Sequence, residues 1–223
     1  YRGEANKHLR NGALLSKARW LFMAQFRDRF PEKVLAEMRG VFDENNVSPF
    51  WQSLGKHFFP MDFSEADRLT GLGQKSFIGE LMPKFPIYTT FMSEEARACI
   101  GQVHRHTRPA LEMLKKEGLR WEGYIDIFDG GPTMHAVFDR IRVIRESHSL
   151  VIGEIVREVE GAELMLSNSQ LNFRCWLGRM GQDDSGKAII DQVTALQLEL
   201  KVGDSLRAAS LKPQRTDSSG VPG

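Results

Sequence analysis

The stretch IGQVHRHTRPALEMLKKEGLRWEGYIDIFDGGPT, residues 100–133, is the most informative part of the sequence. It predicts a helix that begins at Pro109, and then a carboxylate-bearing strand that breaks at two consecutive glycines. His104 lies just before that helix. Histidine is the side chain whose unperturbed pKa lies near neutrality, so this stretch also holds a candidate group for proton transfer.

Upstream of this stretch, apolar residues recur three and four positions apart, which is typical of amphipathic helices. One such helix is predicted after Gly12, ending near Phe30, and another begins at Ser48. A mostly buried strand is predicted between them, over residues 34–42. The aromatic residues of segment 48–59 are predicted to pack in the core, with one wall of a ligand pocket as the alternative.

The pattern changes after the first two thirds of the chain. Short β-type runs then alternate with polar turns, and one helix is predicted over residues 188–200. We therefore predict a larger domain over residues 1–148 and a smaller β-rich subdomain over residues 149–212. The tail over residues 213–223, rich in Ser, Gly and Pro, is predicted to be disordered.

Composition excludes several classes of protein. Thirty basic and 29 acidic residues leave a net charge of +1, which argues against nucleic acid as the main partner. No apolar run approaches the roughly 20 residues that a membrane-spanning helix needs, so no membrane partner is predicted. Cys99 and Cys175 are too few for a disulfide framework and favour a reducing, cytoplasmic location.

The start of the first predicted helix is a candidate phosphate site. A helix N-terminus carries partial positive charge and unpaired N–H groups, which suits the pyrophosphate of a nucleotide or of coenzyme A. An ordinary turn into a helix explains the same residues, because a single glycine is a weak signal. The candidate cofactor contacts are Lys7, Arg10, Asn11, Gly12 and Ala13.

Two further groups of residues are candidates for chemistry, each with a plain alternative. His104 and His106 have a spacing found in metal sites, but no third ligand is evident, so no metal site is predicted. His104 is either a surface residue of a loop or a catalytic imidazole. Asp126 and Asp129 form either a solvated strand face with its turn or a contact for a cationic substrate.

Many ordered blocks of the sequence resemble the arginine N-succinyltransferase family, nearly continuously from residue 11 to residue 144. They include residues 13–19, 36–40, 48–56, 101–104 and 124–133. The resemblance implies an α/β (α+β) fold of the GNAT acyltransferase type, with a mixed sheet flanked by helices. It also implies transfer of succinyl from succinyl-CoA to the α-amino group of L-arginine, in arginine catabolism, with no permanently bound cofactor.

The resemblance also implies a role for one residue and an assembly. The proton donor of the family is the histidine of a Gly-Gln-Val-His motif, which falls on His104. The chain would be the carboxyl-terminal two-thirds of such an enzyme, without its N-terminal strands, and part of a homo- or hetero-oligomer. Two alternatives stay open: another basic amine such as ornithine as acceptor, or a non-catalytic partner subunit.

Overall fold

The structure is a computed structural model that describes residues 10–74 and 76–213. These residues form two compact units. The first unit consists of residues 10–32, 116–118 and 137–213, and the second of residues 33–74, 76–115 and 119–136. The domain boundary predicted at residue 148 stays a prediction, and the predicted disordered tail lies, from residue 214 on, outside the described residues.

Both units contain helices and strands. The α-helices are α1 (Asn11–Gln25), α2 (Lys56–Phe58), α3 (Phe63–Gly71), α4 (Ser76–Leu81), α5 (Glu94–Cys99), α6 (Arg108–Lys116), α7 (Arg142–Glu146) and α8 (Gln192–Leu198). The strands are β1 (Lys33–Glu37), β2 (Arg120–Ile125), β3 (Pro132–Val137), β4 (His148–Val156), β5 (Ala162–Asn168), β6 (Cys175–Gln182), β7 (Ala188–Asp191) and β8 (Ser205–Ala209). This mixture confirms the predicted α+β class. None of the described helices is long and apolar enough to cross a membrane.

In the first unit, five strands close into a barrel in the order β4-β7-β6-β5-β8. β4 and β7 are parallel, whereas the other neighbouring strands are antiparallel. Fully buried residues such as Leu166, Ile190 and Leu206 fill its interior. The β-rich character predicted for this part of the chain is therefore confirmed, and closure leaves no unpaired sheet edge in the barrel.

The single helix predicted over residues 188–200 is wrong in its first part. Residues 188–191 form β7, which lies between β4 and β6. Asp191 then caps α8, because its Oδ1 accepts the Thr194 N–H at 2.7 Å and its Oδ2 accepts the Thr194 hydroxyl at 3.0 Å. Ala and Ile suit a helix or a strand in isolation, so pairing with distant strands decides between the two.

A buried cluster of charged side chains joins α1, α7, the turn after α6 and the end of β8 in the first unit. The Glu117 carboxylate lies 2.8 Å from Lys17 Nζ and 3.0 Å from Arg142 Nη2. The same two cations donate to backbone carbonyls, Lys17 to Leu211 at 2.8 Å and Arg142 to Ser210 at 3.1 Å. Glu117 is 1% exposed, so its oxygens are bonded by these two cations and by the Val143 N–H, at 3.2 Å, rather than by water.

The second unit contains a three-stranded sheet in the order β1-β3-β2, with β2 and β3 antiparallel. The sequence did not indicate β3, which begins directly after the two glycines. Beside the sheet, the aromatic side chains of Trp51, Phe59 and Phe128 pack with ring centroids 5.5–5.6 Å apart. Trp51 and Phe59 are at most 2% exposed, which confirms the core role predicted for segment 48–59.

We expect Glu117→Ala to lower the free energy of unfolding by about 3–5 kcal/mol, because it leaves the buried Lys17 without a carboxylate partner and the buried Arg142 with Glu146 alone. Urea unfolding followed by circular dichroism measures the change. The matched control is Glu112→Ala, which removes an exposed partner of Lys115 and should change the free energy by less than about 1 kcal/mol. A loss at Glu117 no larger than at Glu112 would contradict a structural role for the buried cluster.

Candidate functional site

The segment that follows β1 and the turn between β2 and β3 are joined by the buried carboxylate of Asp129. Its Oδ2 accepts the Gly40 N–H at 2.7 Å, and its Oδ1 accepts the Gly131 N–H at 2.8 Å. Only glycine fits at these two positions: a Cβ at Gly40 would overlap the Asp129 carbonyl, and one at Gly131 would overlap the Met38 carbonyl. We call this arrangement, made of Asp129, Gly40 and Gly131, the Asp129 clamp.

The Asp129 clamp lies directly beside His104. The backbone N–H of His104 donates to the carbonyl of Arg39, the residue before Gly40, at 2.9 Å. The half-buried side chain of His104 then caps the following 3₁₀ turn, with its Nδ1 accepting the His106 N–H at 3.2 Å. An accepting Nδ1 assigns the proton of the neutral ring to Nε2, which is the atom left for a ligand.

His104 lines a cavity of about 280 Å³, which we call the histidine cavity. Its other lining residues are Val41, Phe42, Asp43, Glu44, Val103, Arg105 and Arg108. Side chains of both charges therefore face one small space. A neighbouring cavity of about 510 Å³ shares Phe42 with it and is lined by Asp129, Asp67 and Arg39, among others.

The surroundings of His104 favour its neutral form. Burial lowers the pKa of the His104 imidazole below 6.5, and the positive charges of Arg39, His106 and Arg105 lower it further. The Arg39 guanidinium is held in place by Asn46, whose Oδ1 accepts its N–H at 2.9 Å. At neutral pH the ring is therefore uncharged, which is the state that can accept a proton from a reacting group.

The two aspartates of the sequence prediction have different surroundings. Asp129 lines the cavity beside the histidine cavity, whereas Asp126 lines neither of these two cavities of the described chain. Burial raises the pKa of the Asp126 carboxyl to about 6, against the lowering effect of the Phe128 N–H that it accepts at 2.7 Å. Contact of either aspartate with a cationic substrate stays a prediction.

The predicted cofactor contacts lie at the start of α1, in the first unit. Arg10 occupies the cap position and forms a two-pronged ion pair with the carboxylate of Glu163, with the Nη2–Oε1 distance at 2.9 Å. The first turn of α1 contains the next three candidates, Asn11, Gly12 and Ala13. Lys7 lies outside the described residues. Binding of phosphate by these residues stays a prediction.

Sequence reasoning missed the charged residues that share the histidine cavity. Arg105 and Arg108 follow His104 within four residues, so the basic run Arg-His-Thr-Arg was a usable signal. Asp43 and Glu44 gave no such signal, because they lie about 60 residues from His104 and appeared only as a loop that ends a strand.

Thiol and metal chemistry find little support in the described residues. Burial raises the pKa of the Cys175 thiol to about 12 and also raises the pKa of Cys99, so neither is a thiolate at neutral pH. Among residues 10–74 and 76–213, no group of three or more His, Cys, Asp or Glu side chains is placed to hold a metal ion.

Comparison with protein families gives two matches that together span most of the chain. Residues 2–143 match the family described as "Arginine N-succinyltransferase beta subunit". Residues 149–210 match the family that describes the C-terminal domain of the same arginine N-succinyltransferase beta subunit.

Individual proteins are similar over nearly the whole chain. The arginine N-succinyltransferase subunit beta of Pseudomonas aeruginosa is 50% identical over 206 residues, which cover 92% of this chain and 60% of that protein. The arginine N-succinyltransferase of Salmonella paratyphi B is 52% identical over 204 residues, which cover 90% of this chain and 59% of that protein. The chain thus spans about three fifths of the length of the curated relatives it matches.

A solved structure has the same fold. It is the arginine/ornithine succinyltransferase subunit AI from Pseudomonas aeruginosa, with a TM-score of 0.79 and 31% sequence identity. The match covers 95% of this chain and 61% of that protein.

The raised pKa of Asp126 predicts a specific dependence of stability on pH. Between the unfolded value of 3.8 and the folded value of about 6, the folded state binds more protons, so the wild-type free energy of unfolding falls as pH rises. Asp126→Asn keeps an acceptor for Phe128 and does not titrate. We expect the variant to gain roughly 2–3 kcal/mol relative to wild type between pH 4 and pH 7, measured by denaturant unfolding. A constant difference between the two proteins over this range would contradict the burial of a titrating carboxyl.

The charges around His104 predict a second titration. We expect its pKa, measured from the imidazole C–H resonances in NMR, to lie below 6.5 and to rise in Arg39→Gln, which removes one neighbouring positive charge. Lys115→Gln, an equal charge change on α6 outside the histidine cavity, is the control and should leave the value unchanged. An unchanged pKa in Arg39→Gln would show that Arg39 does not act on the ring.

Proposed function

The chain belongs to the family of arginine N-succinyltransferase beta subunits, and from this premise we propose that it forms the part of an arginine N-succinyltransferase that moves the protons. The reaction transfers succinyl from succinyl-CoA to the α-amino group of L-arginine. The proposal rests on one observation: the neutral imidazole of His104 lines a cavity that is also lined by positively and negatively charged side chains.

The reaction requires that one proton leaves the attacking amine and that one proton is delivered to the departing sulfur. The amine nitrogen attacks the thioester carbon, a C–N bond forms, and the C–S bond breaks to release the thiolate of coenzyme A. The nitrogen must lose a proton, and the thiolate sulfur must gain one. In the proposal, Nδ1 of His104 gives up its hydrogen bond from the His106 N–H and takes up the proton of the attacking amine, directly or through water. The imidazolium then delivers its Nε2–H to the sulfur, so the ring ends neutral.

The surroundings of His104 suit this task. Because its pKa lies below the ordinary value, the ring is neutral at cellular pH and loses a captured proton readily. Its orientation does not rely on a flexible loop, since its backbone N–H is held by the Arg39 carbonyl and its Nδ1 by the His106 N–H. A fixed ring with one ring nitrogen available can approach the sulfur in a defined direction.

The remaining parts of the proposal concern the substrates and the assembly. Asp126 and Asp129 are proposed contacts for cationic arginine, and the start of α1 for the phosphates of succinyl-CoA, which is a co-substrate and not a resident cofactor. Asp129 would use oxygen lone pairs left over from the two N–H groups that it already accepts. We further propose that the enzyme is cytoplasmic and that it is a homo- or hetero-oligomer. The subunit names of its relatives support the oligomer.

A second acceptor is favoured by one specific observation. The solved structure similar to this chain belongs to a protein named for both arginine and ornithine. Both amino acids present an α-amino group and a cationic side chain, so the same site would accept either. Initial rates of CoA release with each amine at equal concentration decide between them. Release with neither amine, from a correctly folded sample, would favour the non-catalytic subunit instead.

We expect His104→Ala to reduce kcat by about a hundredfold or more, because no other imidazole lines the histidine cavity of the described chain. The assay follows CoA release by the natural protein that contains this sequence, and thermal unfolding checks that the variant folds. The matched control is His57→Ala, an exposed histidine of α2, which should keep wild-type turnover. Unchanged turnover in His104→Ala would remove this ring from the mechanism.

A further inference from the structure

We propose that Arg105 and Arg108 form an anion subsite that selects acyl groups ending in a carboxylate, such as succinyl over acetyl. The inference rests on the proposed function and deepens it, since it names the part of the donor that this site recognises. Both residues line the histidine cavity together with His104.

The first support is the way these two arginines are tied to His104. His104 caps the 3₁₀ turn of residues 105–107, and α6 begins at Arg108. The His104 carbonyl accepts both the N–H and the hydroxyl of Thr107 at 2.8 Å. The backbone from His104 to Arg108 is thus one continuous helical segment. The positions of Arg105 and Arg108 are therefore set relative to His104.

The second support is that both guanidinium groups are available. Within the described residues, neither Arg105 nor Arg108 forms an ion pair with a carboxylate, whereas Arg142, Arg174 and Arg10 each do. Asp43, on the same cavity, directs one carboxylate oxygen to the backbone N–H groups of its own loop, at 2.8 and 2.9 Å. The cavity therefore carries two cations with unused donors next to the reacting group.

The third support is the chemistry of the acyl groups. A guanidinium presents paired N–H donors in a plane, which matches the two oxygens of a carboxylate. In succinyl only two methylene groups separate the thioester carbon from the carboxylate. The group that recognises this carboxylate must lie near the group that protonates the sulfur, and Arg105 and Arg108 meet this condition. Acetyl has no group to contact them.

A phosphate of coenzyme A is recognised by the same chemistry, so the test has to separate the two sources of negative charge. Arg105→Gln, Arg108→Gln and the double variant are assayed with arginine and either succinyl-CoA or acetyl-CoA. We expect kcat/KM for succinyl-CoA to fall about tenfold to a hundredfold more than kcat/KM for acetyl-CoA in each single variant, because the effect of the Arg105 charge on His104 is common to both donors. Lys115→Gln on α6 is the matched control and should change neither value.

The outcomes decide the proposal as follows. Equal losses with both donors would assign the arginines to coenzyme A and overturn selection of the acyl group, as would no loss with either. Arg108→Lys keeps the charge and should recover part of the loss, which a folding defect would not do. If the wild-type protein has no turnover, the proposed function fails, yet calorimetry still tests the subsite. Tighter binding of succinyl-CoA than of acetyl-CoA, lost in the double variant, supports it, and equal binding overturns it.

Discussion

The candidate site depends on one buried carboxylate that accepts two backbone N–H groups. Asp129 accepts the N–H of Gly40, in the segment after β1, and that of Gly131, in the turn before β3, so two segments far apart in the chain are held at a fixed distance. The carbonyl that receives the His104 N–H belongs to Arg39, directly beside Gly40. A hydrogen bond from an N–H group to a charged, buried acceptor is strong, because no water competes for it.

Two titratable groups of the second unit, His104 and Asp126, have surroundings that disfavour their charged forms. Around His104, burial and neighbouring cations disfavour the charged imidazole, and at Asp126 burial disfavours the charged carboxylate. Both groups are thereby shifted towards their neutral forms, although one is a base and the other an acid. Sites that transfer protons near neutral pH require such shifts, since a group must change its protonation state within the reaction.

The first unit combines a closed barrel with a buried carboxylate of its own. Its barrel is closed by pairing β8 with β4, so the backbone polar groups along its strands find partners within one ring. Outside the barrel, Glu117 holds two cations in a place that water does not reach. In each unit, therefore, a buried carboxylate joins segments that are distant in the sequence, Asp129 through backbone N–H groups and Glu117 through side-chain cations.

The sequence by itself determined the features that arise from neighbouring residues. The apolar spacing after Gly12 predicted α1, Pro109 marked the start of α6 within one residue, and the imidazole of His104 was identified as the candidate for proton transfer. The tertiary structure alone decided β3 and β7, because a strand exists only through partners elsewhere in the chain. It also decided the bonds of the Asp129 clamp, since a hydrogen bond across 89 residues leaves no periodic pattern in the sequence. In the same way, only the folded chain brings Asp43 and Glu44 to the cavity that His104 lines.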